Sequence, residues 1–107
     1  MTVLNVTSEN FEREVLQAQK PVLVDFWAPW CVYCRRLAPV IDRMAENGDG
    51  SIVIAKLNVD DAQDIAARYH VDTIPTLYLF QNGQPGGPLV APPSQAQIDE
   101  WINAQRG

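Results

Sequence analysis

The chain is 107 residues long, 47% hydrophobic and 20% charged, which suits one globular domain over residues 1–107 with interior enough to fold without covalent staples. A net charge of −5 argues against nucleic acid as a partner, and no run of about 18 apolar residues is present to span a bilayer. The opening MTVLNVTSENFERE lacks the basic-then-apolar pattern of a secretion signal, so a cytoplasmic location is expected.

Val3 to Val6 reads as a short strand, and Thr7 or Ser8 as the cap of a helix with the stripe Phe11, Val15 and Leu16. Lys20-Pro21 closes that region. Val22 to Trp27 is apolar at nearly every position, as expected of a central strand covered on both faces. A second helix is predicted from Cys31 to Asn47. Its stripe is Cys34, Leu37, Ile41 and Met44, Gly48 stands at the C-terminal cap, and Pro39 should kink it. Ile52 to Leu57 is another buried strand, and Ala62, Ile65, Ala66 and Tyr69 mark a short helix. Thr76 to Phe80 forms a strand leading into Asn82-Gly83, a hairpin signal. Pro85, Pro88, Pro92 and Pro93 confine the next strand to a brief edge. Ser94 to Gln97 has capping-box spacing, and Ile98, Trp101 and Ile102 give the last helix its buried face. The order β-α-β-α-β-α-β-β-α predicts an α/β fold, with a mixed five-stranded sheet flanked by four helices.

Both cysteines fall within Asp25–Cys34, DFWAPWCVYC. In a reducing compartment a lone pair is seldom a permanent staple, and a bridge over so short a loop constrains the unfolded chain very little. Cys31 stands where strand gives way to helix. Unpaired N–H groups and the positive end of the helix dipole favour its thiolate there. Cys34 lies one turn on, facing the core. The spacing therefore gives unequal roles: Cys31 attacks a disulfide in another molecule, and Cys34 resolves the mixed disulfide. Cys34 must lose a proton to do so. Asp25, a carboxylate in an apolar strand, is the candidate acceptor, with Lys56 on the neighbouring strand as a compensating charge. A zinc site would need two more ligands, and His70 is the one further residue of the usual type.

Asp25-Phe26-Trp27-Ala28, Trp30-Cys31-x-x-Cys34, Pro39, Lys56, Ile74-Pro75-Thr76 and Asn82-Gly83 resemble the thioredoxin family in order and spacing through nearly the whole chain. The resemblance implies a thioredoxin fold and a protein-disulfide reductase that works through its own cysteine pair, with no cofactor and no metal. It implies a flavin-dependent thioredoxin reductase as electron donor, disulfide-containing proteins as targets, and a monomer. Ile74-Pro75 should be cis, although only about 5–6% of X–Pro bonds in folded proteins are. Pro75 should pack on the sulfurs, and the Ile74 backbone should bond the substrate chain. Trp27, Trp30, Val32, Tyr33, Thr76 and Ala91 complete the implied substrate surface, Trp30 being the more exposed tryptophan.

Two features depart from the family pattern. Val32-Tyr33 replaces the usual Gly-Pro, which restores an amide N–H in the first helical turn and should make the pair more oxidising. Pro85 to Pro93 shortens the last strand and places Ala91 near a position where the family tends to have glycine. Beside the reductase stand two alternatives of similar fold, a disulfide oxidase or isomerase and a non-catalytic binding subunit.

Overall fold

The strand with the most continuous apolar sequence becomes the middle of the sheet. In the computed structural model, which describes residues 2–106, β2 (Val22–Trp27) pairs in parallel with β3 (Val53–Asn58). On its other side β2 pairs antiparallel with β4 (Thr76–Gln81). β1 (Leu4–Val6) extends the sheet beyond β3 in parallel. At the opposite edge β5 (Gln84–Pro85) and β6 (Leu89–Val90) both pair antiparallel with β4. A π-helical segment (Glu12–Leu16) and three α-helices cover the faces: α1 (Val32–Asn47), α2 (Gln63–Arg68) and α3 (Gln95–Arg106). This is the expected α/β architecture.

Side chains alternate along β2, so its two faces feed two cores. Val22, Val24 and Phe26 join Phe11, Val15, Ala62, Ile65 and Phe80 beneath the π-helical segment and α2. Leu23 faces the other way, into a core of Leu37, Ile41, Leu77, Leu79, Ile98 and Ile102 beneath α1 and α3. By the same alternation Asp25 falls on the α1 side. The sheet thus delivers a carboxylate to the helix that carries both cysteines.

Local chemistry explains where the elements differ from expectation. Thr7 and Asn10 exchange hydrogen bonds, the Thr7 N–H to Asn10 Oδ1 at 2.7 Å and the Asn10 N–H to Thr7 Oγ1 at 3.3 Å, so the cap forms one turn before the π-helical segment. α1 runs unbroken through Pro39. Gly48 caps it in an extended conformation, φ −72° and ψ 161°, where an added Cβ would meet the Met44 carbonyl oxygen at 2.9 Å. Asn82 and Gly83 have φ of 54° and 77°, the left-handed pair of a two-residue hairpin turn. The single last strand expected from the sequence is divided. Gly86 to Pro88 interrupts it, leaving two short edge segments instead of one. Trp101 is half-buried, its indole N–H donating to the Gly87 carbonyl at 3.0 Å.

Candidate active site

Cys31 is the N-cap of α1, in extended backbone with φ −82° and ψ 111°. Its Sγ accepts the Cys34 N–H at 3.1 Å, as a capping oxygen would at this helix end. The first turn holds no acidic residue and one arginine, Arg35, so dipole and side chain act in the same direction on this sulfur. Arg35 reaches back to the Pro29 carbonyl oxygen at 3.1 Å, bracing the loop before the helix. The two cysteines are joined as a disulfide with Cα atoms 5.2 Å apart. Their burial is unequal: Cys31 is 8% exposed and Cys34 2%. The expected asymmetry is present, although in the oxidised form even Cys31 offers only a narrow opening.

Asp25 stands directly across from Lys56 in the β2–β3 register. It is buried, and among the described residues its Oδ1 has no hydrogen-bond partner. Burial drives its pKa from the ordinary 3.8 to about 7, against the opposing pull of the Lys56 charge. A cavity of about 80 Å³ joins this carboxyl to Cys34, with Trp27, Ala38, Asp42 and Lys56 also in its wall. That space admits water, which the orphaned oxygen would bind. Lys56 Nζ lies 5.2 Å from the centre of the Trp27 ring, a cation–π arrangement that holds the ammonium beside the cavity.

Around Cys31 the surface is apolar. The Ile74–Pro75 peptide is cis, and the Ile74 carbonyl oxygen lies 3.8 Å from Cys31 Sγ. Pro75 is buried and Ile74 half-buried, packed against the cysteine pair with Trp27 and Val59. Trp30 is 65% exposed, Val32 53% and Tyr33 37%, so the residues flanking the sulfur present large hydrophobic surface to solvent. Such a patch on an otherwise polar exterior is the mark of a docking face. Thr76 is buried and its hydroxyl donates to the Thr73 carbonyl, so its side chain serves the loop before β4 while its backbone pairs with Val90.

Ala91 adopts a left-handed φ of 47°, and its N–H donates to the Pro75 carbonyl at 2.8 Å. An alanine there carries steric strain that a glycine would not. Ala91→Gly is therefore expected to stabilise the fold by about 0.5–1 kcal/mol, after allowing for the freer unfolded chain. A denaturant midpoint that fails to rise would mean that the segment relaxes around the alanine.

Three contributors were not singled out from the sequence. Asp60 accepts the Trp30 indole N–H at 3.0 Å and holds that exposed ring in place beside the cysteine pair. Val59 packs beside the cysteines. The Pro92 carbonyl accepts the Tyr33 hydroxyl at 2.8 Å. Only the Asp60-Asp61 pair after β3 offered a signal, as polar residues at the end of a buried strand; a backbone carbonyl offers none.

The chain matches the family model described as Thioredoxin over residues 2–104. It is 42% identical over 102 residues to a thioredoxin of Pseudomonas aeruginosa, covering 95% of this chain and 94% of that protein. A thioredoxin of Porphyra purpurea is 41% identical over 103 residues, 96% of either chain. Thioredoxin 1 of a Nostoc species reaches 48% over 79 residues, 74% of each. A match of that extent, on a chain whose strand order and cysteine placement had been described independently, settles its kinship: the protein belongs to the thioredoxin family.

Proposed function

We propose that this protein reduces disulfides of other proteins with Cys31 as the attacking and Cys34 as the resolving sulfur. The activity itself, thiol–disulfide exchange through a redox-active cysteine pair, is that of its family. The observation that carries the assignment of roles is the unequal setting of the two sulfurs. Cys31 caps a helix at the apolar face, while the more deeply buried Cys34 lines a small cavity with Asp25.

Two exchanges follow. The Cys31 thiolate attacks one sulfur of the target disulfide, that S–S bond breaks, and the target's other sulfur leaves as a thiolate that takes a proton. Cys34 then gives its proton, directly or through water, to Asp25. It attacks Cys31 Sγ, closes the Cys31–Cys34 bond and expels the second target sulfur as a thiolate, which takes a proton from solvent. Two electrons pass to the target. Lys56 steadies the charge that Asp25 carries before it takes the proton. Trp27, Trp30, Val32, Tyr33, Ile74, Pro75 and Ala91 form the surface on which the target chain lies, with Ile74 supplying backbone hydrogen bonds and the buried Thr76 supporting it from beneath.

Disulfide-containing proteins are the targets, and a thioredoxin reductase is the usual reductant of the family. We infer further that this reductase is flavin-dependent, and that the protein works as a monomeric single domain in the cytoplasm, where the pair can be kept reduced. No other cofactor and no metal is needed for the exchange, because both electrons reside on sulfur. Trapping tests the roles. Cys34→Ser should accumulate target proteins as mixed disulfides on Cys31, and Cys31→Ser should accumulate almost none. Equal trapping by the two variants would overturn the assignment.

A further inference from the structure

Tyr33 is out of the family pattern, and its hydroxyl is committed within the chain. It donates to the Pro92 carbonyl at 2.8 Å and lies 3.4 Å from the Ala91 carbonyl. The phenol therefore bridges the first turn of α1 to the segment after β6. That segment is tied down in turn. Ala91 donates to the Pro75 carbonyl, and Val90 pairs with Thr76. The surface around Cys31 is thus closed on its β6 flank by an aromatic strap. Toward Trp30 and Ile74 no such side-chain bridge spans it among the described residues: the Trp30 indole N–H is bonded to Asp60.

Resting on the reductase reading above, we propose that Tyr33 determines substrate specificity. Its strap fixes the phenol over the Ala91–Pro92 side of the target surface, so that a broad partner laid there meets the ring, and it leaves Cys31 open along Ile74 and Trp30. A compact disulfide on a small molecule reaches the sulfur with the strap in place. A folded protein presents a broader surface and must swing the phenol aside. Doing so breaks the bond to Pro92 and leaves the carbonyl of a buried proline without that partner. The discrimination falls on folded targets, in the step that brings them to Cys31.

Tyr33→Phe removes the hydroxyl and keeps the ring. The probes are insulin as folded protein disulfide and glutathione disulfide as small one. The ratio of kcat/KM for insulin to that for glutathione disulfide should rise about three- to tenfold, the worth of one hydrogen bond, with the change carried by KM for insulin. An unchanged ratio, or an equal change for both substrates, would overturn the proposal. So would a shift in reduction potential large enough to account for the rates, because the hydroxyl would then act on the sulfurs and not on docking. If the unaltered protein reduces neither probe, the reductase reading fails first, and its failure is told apart by that control.

Discussion

Replacing Asp25 with Asn is expected to raise the free energy of unfolding near pH 8 by about 3–4 kcal/mol and to slow release of targets from Cys31 about a hundredfold. Both effects have one cause, a carboxyl held where its charge is poorly solvated. In the folded protein it ionises near pH 7, and in the unfolded chain near its ordinary 3.8. Between those values the native state holds a proton that the unfolded state has lost. Stability is therefore full below about pH 4, falls as pH rises toward about 7, and levels off above. Asn resembles the neutral acid, so the variant should show a flat profile over that window. Denaturant titrations at a series of pH values compare the two, and parallel profiles would remove Asp25 as the source. The kinetic loss should appear in single-turnover decay of the mixed disulfide, with formation of that species spared. If decay is unaffected, Cys34 surrenders its proton elsewhere.

The double change Val32→Gly with Tyr33→Pro should make the reduction potential more negative by about 30–60 mV, equivalent to about 1.4–2.8 kcal/mol. The Cys31 thiolate of the reduced form draws on first-turn amides. The Cys34 N–H already lies 3.1 Å from this sulfur and survives the change, whereas the Tyr33 N–H is deleted by proline. With one donor fewer the dithiol is less favoured, and the disulfide is harder to reduce. Equilibration with glutathione buffers measures the shift. A potential that stays in place, or moves the other way, would exclude the residue-33 amide as a determinant. Tyr33→Phe separates the backbone contribution from the hydroxyl, because it keeps the amide.

Much of this molecule could be read before any coordinates, for reasons that differ by element. β2 was legible because a strand covered on both faces has no polar positions to blur it, and its one exception, Asp25, stood out for the same reason. The unequal placement of Cys31 and Cys34 followed from helix geometry, since a residue at the cap and one a turn later must face different surroundings. The π-helical form of Glu12–Leu16 was not legible. Phe11 and Val15 satisfy an ordinary helical stripe equally well, and tertiary packing decides between the two. The division of the last strand was half visible, since the prolines marked an edge without showing where pairing would lapse. The left-handed Ala91 was hidden, because alanine carries no turn signal and the conformation is set by its bond to Pro75. The link from Tyr33 to Pro92 joins residues 59 positions apart through a main-chain oxygen, which no local pattern encodes.

The broken margin formed by β5 and β6 has a bearing on how the protein behaves when crowded. A surface that shows Trp30, Val32 and Val90 to water would invite self-association if a long, flat strand ran beside it. Here each margin strand is two residues long, Pro85 ends β5 and Pro88 immediately precedes β6, and β1 on the far side spans just three. Neither rim offers a template long enough for sheet-to-sheet polymerisation. The chain can thus leave these apolar side chains exposed without seeding fibres of itself.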